Sequence, residues 1–512
     1  MQRRPTRQSN SLFSRSLLMI NVILKSFESC TFDRIMAEKA FQGIPLGTCI
    51  SITNDQKYWP ALDAQEHIWM PGAPLRNGRF FADVDWNSIA PLDEELIERM
   101  RHCEAIFMRM AQRYAQAMGY AISGTVPYNE SKRLYLNELR YWNHLLDTKH
   151  IDLVVMYHIP HQGYDYILYN LCKLKGIPVV HLDHLFMVDS IFAVEDWEDS
   201  VVEVRDALQH LREQYKDPAT PIPLSRNYEY YFQYYRGKKL APWYQAKQSI
   251  FAKQSFLLKW WRRALKVLRR NPRQFFSTLA SQQFWSRKIR EHRTIRFYNR
   301  HVTVPDLNKP FIYLALHCQP EASTLPEAGA FMDQELIAQL IATYLPAGVS
   351  LYVKEHPGQG ERFRSVEFYQ SLLAIPAVSF IPKETDTYEL IDRCIAVATA
   401  TGTVGFEAIM RQKPVLMFGH FFTQYGPGSF SIRTAEDCRK ALEQIFSRKE
   451  SHTVRDVRLF LKAVEQCATP YPGPPDSPFE EHTQDEKAEH VGALIQRKIR
   501  SVMAAAGAAR NH

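Results

Sequence analysis

The chain has 512 residues, 46% hydrophobic and 23% charged, the balance of an ordinary globular protein with two or three domains. Its net charge of +8 is uneven: fourteen Lys/Arg and the single acid Glu291 lie between Lys253 and Arg300, the first 25 residues hold five positives and no acid, and the rest carries −10. This argues against a uniformly basic nucleic-acid binder and for a local contact with an anionic surface. Eight scattered cysteines without a Cys-x-x-Cys pair fit a reducing compartment better than a disulfide framework. No apolar run approaches the roughly 18–20 residues of a membrane span. Ser16–Leu24 follows an Arg-rich start but lacks a small-residue cleavage site, so it reads as the lead-in to a first strand or helix.

Residues 1–235 alternate strand-like and helix-like segments. The clearest unit is the apolar run Ile151–Tyr157, a helical stretch Gly163–Lys175, and, after a Gly-Ile-Pro break, a second run to Leu182. That is the pattern of a βαβ unit, which builds parallel sheets with helices on both faces. Residues 236–307 form a basic connector. Within it, Phe256–Arg270 projects Lys259, Arg262, Arg263, Lys266, Arg269 and Arg270 on one helical face and Trp260, Trp261 and the leucines on the other. A basic face opposite a Trp/Leu face suits an anionic membrane surface; a helix packed on the protein shows the same pattern, and no nucleic-acid module is present.

Residues 308–470 repeat the α/β alternation. Strands are expected at Phe311–Leu316, Val349–Lys354, Val378–Ile381, Ile395–Thr399 and Pro414–Phe418, with helices at Asp333–Tyr344, about Glu361–Leu373, Thr387–Cys394 and Gly402–Arg411. The fold expected is α/β, two Rossmann-like doubly wound domains. Residues 471–512 begin as a Pro/Gly-rich linker and end in a helix from about Gln484 to Ala505.

Ligands of doubly wound sheets sit beyond the carboxyl ends of the strands, so motifs there carry the chemistry. After the first strand of the second half comes His317-Cys-Gln-Pro-Glu-Ala-Ser, where Gln319 and Glu321 are candidate sugar or nucleotide ligands. In Tyr352-Val-Lys-Glu-His-Pro, Lys354 and His356 are expected to leave the strand on the same side, since alternate residues share a face, a cation and an imidazole suited to phosphate or carboxylate. In Thr401-Gly-Thr-Val-Gly-Phe-Glu-Ala, a helix start offers its N–H groups and dipole to an anion; Gly402 permits close backbone approach, Thr401 and Thr403 offer hydroxyls, and Glu407 lies one turn on for sugar hydroxyls. In the first half, His158-Ile-Pro-His161 and His181-Leu-Asp-His184 are expected at adjacent strand ends. Four histidines without cysteine make a weak zinc signal. The better expectation is that one or two of His161, Asp165, Asp183 and His184 face an interdomain cleft, where one serves as general base. There is no Walker A loop, GxGxxG or Gly-x-Ser-x-Gly elbow.

The motifs His317-Cys-Gln-Pro-Glu-Ala-Ser, Tyr352-Val-Lys-Glu-His-Pro, Thr401-Gly-Thr-Val-Gly-Phe-Glu-Ala and Lys413-Pro-Val-Leu-Met-Phe-Gly, in that order, resemble bacterial capsule polysaccharide biosynthesis proteins, which are GT-B glycosyltransferase-like and include Kdo transferases using CMP-Kdo. The resemblance covers about 310–425 and is looser over 140–190. It implies two facing Rossmann-like domains, with a nucleotide sugar on the second. Lys354 and His356 would meet its phosphate or sugar carboxylate, Thr401, Gly402 and Thr403 its phosphate, and Glu407 its ribose. His356 and one of His161, Asp165 and Asp183 would be the catalytic groups.

The leading expectation is a metal-independent glycosyltransferase for a surface glycan. It would use a nucleotide sugar, CMP-linked and Kdo-like, as co-substrate without a further cofactor. Its acceptor would be a lipid-linked or growing glycan, and its place the cytoplasm, peripheral on the inner face of the membrane. The alternatives are a nucleotide-sugar 2-epimerase or polyol-phosphate transferase on the same fold, and a non-catalytic capsule assembly or export component.

Overall fold

The computed structural model describes residues 19–27, 31–54, 62–118, 127–237, 280–319, 321–359, 364–447, 452–471 and 482–509, with Leu265, Arg269, Pro272, Arg273 and Phe276. The amphipathic helix expected over Phe256–Arg270 lies, but for two residues, outside the described residues.

The first domain opens with β1 (Ile20–Lys25), α1 (Thr31–Ala40), β2 (Leu46–Thr53) and β3 (Ala64–Pro71). Four helices follow: α2 (Gly72–Arg76), α3 (Glu94–Arg99), α4 (Arg101–Met118) and α5 (Tyr128–Thr148). Then come β4 (Leu153–Met156), α6 (Tyr164–Lys175), β5 (Val179–Leu185), β6 (Ser190–Val194), α7 (Val202–Gln214) and α8 (Arg226–Arg236). The βαβ unit read from the sequence is β4-α6-β5. Gly176 ends α6 in the left-handed conformation, φ 67°, which glycine adopts without a Cβ clash. Strand alternation sorts the core. Val22, Leu24, Leu153, Val155, Val180 and Leu182 form one face of the sheet, and Ile23, Ile50, Val154 and Met156 form the other, under α4, α5 and α6. Lys25 shares the second face with Ile23, which turns it toward α6.

The second domain begins with α9 (Gln282–His301) and runs β7 (Phe311–Ala315), α10 (Glu335–Tyr344), β8 (Ser350–Lys354), α11 (Val366–Leu373), β9 (Val378–Ile381) and α12 (Thr387–Arg393). It continues with β10 (Ala396–Thr399), α13 (Thr403–Met410), β11 (Val415–Met417), β12 (Ser429–Ser431) and α14 (Ala435–Ser447). The chain then returns to the first domain. α15 (Val454–Cys467) buries Val457, Phe460, Leu461 and Val464 in one cluster with residues of α7 and α8 and of the second sheet. β13 (Thr469–Pro470) pairs antiparallel with β6. α16 (Gln484–Ala509) lays Ala488, Val491, Ile495, Ile499 and Val502 on α1 and the outer face of the first sheet. A Cβ at Gly492 would stand 2.6 Å from the Met36 carbonyl oxygen, so α16 and α1 meet at backbone distance.

Both sheets are doubly wound. The first has the order β13-β6-β5-β4-β1-β2-β3, parallel from β5 to β3, and reverses direction of winding between β1 and β4. The second, β12-β11-β10-β7-β8-β9, is parallel throughout and reverses between β7 and β10. Each reversal opens a crevice beyond the carboxyl ends of the strands. Among the described residues no helix is long and apolar enough to cross a membrane.

Candidate functional site

The crevice of the second domain is built around His317, the second residue after β7. Its Nε2 accepts the N–H groups of Ala400 and Thr401, each at 3.2 Å, and lies 2.9 Å from Thr399 Oγ1. Thr399 Oγ1 in turn accepts the N–H of Gly402 at 3.1 Å. Burial pushes the pKa of His317 down to about 3, with help from His356 and Arg364, so the ring is neutral and able to accept. A Cβ on Gly402 would stand 2.7 Å from Thr399 Oγ1 and 3.2 Å from the His317 ring, so this glycine makes room for the imidazole.

That geometry revises one expectation. Thr401 and Gly402, expected to hold a phosphate, have their amides committed to His317 and Thr399, and the Thr401 hydroxyl donates to Ser323 O at 2.7 Å. α13 itself begins at Thr403. Gln319 is likewise committed: its Oε1 accepts from Arg364 Nη1 at 2.7 Å and its Nε2 donates to Met332 O at 2.9 Å. The reading of Gln319 as a ligand gives way to a structural one. Glu321 is exposed at the rim, and its backbone closes a turn with Thr324.

β8 ends at Lys354, so strand alternation does not extend to His356. Lys354 is 4% exposed and donates to Thr385 O and Thr387 Oγ1 at 2.6 and 2.7 Å. Burial lowers its pKa to about 8 against the pull of Asp386, Glu407 and Glu384. Glu407, on α13, is buried nearby. His356 is half-buried, and its Nδ1 accepts the Gly358 N–H at 3.1 Å. The neutral ring then carries its proton on Nε2, a donor for an anion. Burial lowers its pKa despite Glu355. Between these two side chains Glu355 turns inward, where Arg364 holds it at 2.8 Å and Tyr369 OH donates to it at 2.8 Å.

The crevice of the first domain lies where β1 and β4 diverge. Lys25 and Asp165 form an ion pair of 2.8 Å with both side chains fully buried. Asp165 also accepts the Gln162 N–H at 2.7 Å. Burial opposes its ionisation, but Lys25 and His161 hold its pKa below the ordinary value. An acid so enclosed positions the loop; the expectation that Asp165 takes a substrate proton is revised accordingly. His161 Nδ1 donates to Ile159 O at 2.6 Å, leaving Nε2 as the basic nitrogen, and burial lowers its pKa. His158 and His184 pack beside it with ring centroids 5.2 Å apart; burial brings their pKa values to about 2 and 4.

His181, Asp183 and His184 are inside β5, which runs to Leu185, rather than beyond its end. Three residues apart on a strand means opposite faces. His181 meets Tyr169 on α6, and His184 meets Tyr157, Phe186 and Tyr471. His158, His161 and His184 thus gather on one side, and His181 points away from them. Among the described residues no group of three or more His, Cys, Asp or Glu is placed to hold a metal ion.

Asp183 of the first domain and Glu327 of the second are near enough for the charge of one to act on the other. Asp183 is 8% exposed on β5 and Glu327 7% exposed in the loop before α10. Burial raises the pKa of Asp183 to about 7. Burial raises that of Glu327 well above the usual range, and the charges of Asp183 and Glu321 add to it. The backbone around them is pinned across the domain boundary: Glu327 O accepts the His420 N–H at 2.8 Å, and His420 Nδ1 donates to Glu198 O at 2.6 Å. Arg109 and Asp333 add an interdomain pair at 2.9 Å. Sequence reasoning passes over Glu327 and Arg364, since neither stands in a recognisable spacing; His317 stands in a quoted motif, but its packing role has no one-dimensional signal.

Two doubly wound domains that face each other, with the chain returning to the first at its end, define a GT-B-like α/β protein. Within that class, residues 328–428 match the family of capsule polysaccharide biosynthesis proteins, and the chain resembles those proteins there. No curated protein sequence matches the chain. Among solved structures it is similar to the beta Kdo 2,7 transferase KpsC of Thermosulfurimonas dismutans, at 14% identity over 72% of this chain and 90% of that one, TM-score 0.31. It is similar to the UDP-GlcNAc 2-epimerase of Methanocaldococcus jannaschii at 11% identity over 88% and 100%, TM-score 0.23. A glycosyltransferase of Rickettsia africae follows at 10% identity over 95% and 98%, TM-score 0.24. Likenesses this distant assign no substrate.

Proposed function

We propose that the protein is a glycosyltransferase of capsule polysaccharide biosynthesis, holding a nucleotide sugar at the crevice of the second domain and an acceptor hydroxyl at that of the first. The observation that carries this reading is a pair of buried carboxyls, Asp183 of the first domain and Glu327 of the second, whose charges interact and whose pKa values are raised. An acid with a pKa near 7 is matched to general-base work at neutral pH.

In the transfer, the bond from the anomeric carbon to the donor phosphate breaks and its electron pair leaves with the phosphate. The acceptor oxygen forms the new bond, and its proton passes to Asp183. Two carboxyls whose charges interact in a buried place favour one shared proton, so one stays protonated while the other is able to ionise. The leaving phosphate is met by His356 Nε2–H and by the N-terminal end of α13 from Thr403, fixed dipoles that need no reorganisation as charge develops. Glu407, 1% exposed, acts through its charge on Lys354, and the ribose role expected for it is set aside. The positive charge of Lys354 beside His356 favours an acidic sugar, which makes a CMP-linked, Kdo-like donor the finer proposal. A lipid-linked or growing glycan is the acceptor.

Thermal melting with a panel of nucleotides tests this. A ligand of the native state at about 100 times its Kd adds about 2.7 kcal/mol of stability. CMP should stabilise the native chain and Asp183→Asn, and fail with His356→Ala. Asp183→Asn should lose transfer while keeping the CMP response. Response to UDP-GlcNAc alone would replace this reading with the epimerase one, and no response to any nucleotide would remove both.

A further inference from the structure

α9 lies at the edge of the second sheet, away from the crevice between β7 and β10. Its inward residues Glu291, Thr294 and Tyr298 are buried. Tyr298 fixes it there: its hydroxyl donates to Ile381 O at 2.7 Å, and its ring lies 5.2 Å from Tyr369 and 5.4 Å from Phe380. Val302, just beyond, bridges to Phe380. The orientation of the helix is therefore set by its buried side.

The opposite side is unusual. At roughly 100° per residue, Trp285, Ile289, His292, Arg293, Arg296 and Arg300 fall in one arc of roughly 100°. Trp285 is 52% exposed and Ile289 59%, and all three arginines are exposed. The only acid of the helix, Glu291, is buried on the inner side and paired with Lys288. Among the described residues Arg293, Arg296 and Arg300 make no ion pair. The stripe is apolar at its N-terminal half and cationic at its C-terminal half and holds no acid of its own; the charge of Arg293 acts on Glu367 of the neighbouring α11. The described residues before it continue the character: Leu265 and Phe276 are 43% and 62% exposed, and Arg269 and Arg273 are exposed.

We propose that the outward stripe of α9 docks on an anionic lipid membrane, with Trp285 and Ile289 entering the headgroup boundary and Arg293, Arg296 and Arg300 meeting lipid phosphates. Charge complementarity selects this occupant. Guanidinium groups bind phosphate in planar, bidentate fashion, and Trp is suited to a site with one wet and one apolar side. The docked helix leaves the crevice open, because β9, the strand it covers, is the edge of the sheet.

The test is co-sedimentation of the full chain with vesicles of phosphatidylcholine alone and of phosphatidylcholine mixed with phosphatidylglycerol. The native chain should bind the mixed vesicles, release with salt, and ignore the pure ones. Joint replacement of Arg293, Arg296 and Arg300 by Gln should weaken binding about a hundredfold. Trp285→Ser with Ile289→Ser should weaken it about tenfold or more and abolish what survives in high salt. All replaced side chains are exposed, and an unchanged melting curve confirms the fold. Equal binding to both vesicle types, equal binding by native and variant chains, or retention by a soluble polyanion such as heparin without vesicle binding would each overturn the proposal.

Discussion

Replacing Arg364 by leucine isolates Glu355 in a place with 1% exposure. In the native chain Arg364 Nε and Nη2 meet Glu355 Oε2 and Oε1 at 2.8 and 3.2 Å, Nη1 meets Gln319 Oε1 at 2.7 Å, and Nη2 meets His317 O at 2.9 Å. One side chain thus ties the loop after β8 to the loop after β7. Breaking a buried pair from one side costs about 3–5 kcal/mol, because the other charge stays buried. That is a large part of the about 5–15 kcal/mol that holds a native protein. The expected fall in Tm is on the order of 10 °C. Adding Glu355→Leu removes the stranded charge, so the double variant should regain part of the loss and the two substitutions should couple by about 2 kcal/mol or more. The pair also has a pH signature. Burial works against ionisation of Glu355, but Arg364, Tyr369 and the His356 N–H outweigh it and lower its pKa below 4.5. A depressed folded pKa means stability that is present above the unfolded value and lost as pH falls through the folded one. Arg364→Leu should lose that acid-dependent component. Urea unfolding by circular dichroism, at neutral pH and at about pH 4, reads both effects. A cost below about 1 kcal/mol, or strict additivity of the two single substitutions, would refute the view that this pair holds the two loops.

Gly402→Ala places a Cβ 2.7 Å from Thr399 Oγ1 and 3.2 Å from the His317 ring, so about 1–3 kcal/mol of stability and the CMP-induced rise in Tm should both go, as thermal melting will report. Asp183→Asn should stabilise the chain as pH rises. The raised pKa of about 7 makes the contribution of Asp183 fully favourable below the ordinary carboxylate range and lost as pH climbs through 7, so the gain in Tm should be present at about pH 8 and absent near pH 4. Truncation after Tyr471 removes Val491, Ile495, Ile499 and Val502 from the first domain, roughly 6–12 kcal/mol of apolar burial, and limited proteolysis should find that domain unfolded.

Much of this protein is legible in one dimension. Short apolar runs alternating with amphipathic stretches specify strands and helices locally, so β4-α6-β5 and the units from β7 to β11 stand within a few residues of their expected limits. Motifs at strand ends mark the second crevice for the same reason, since β-to-α turns need polar and glycine residues wherever they occur. Tertiary structure alone decided the rest. That α15 crosses back and α16 closes the first sheet follows from which apolar faces remain uncovered, a property of the assembled sheet and of no segment within it. That Ala400 and Thr401 spend their amides on His317, and that Gln319 is held by Arg364, depends on loops 45 to 84 residues apart meeting at one sheet edge. The strand limit of β5 set His181 and His184 on opposite faces, because side chains alternate wherever a strand persists. The nearness of Asp183 to Glu327 is furthest from the sequence: each is an unremarkable carboxylate until folding buries it, and that desolvation is the largest cause of its raised pKa.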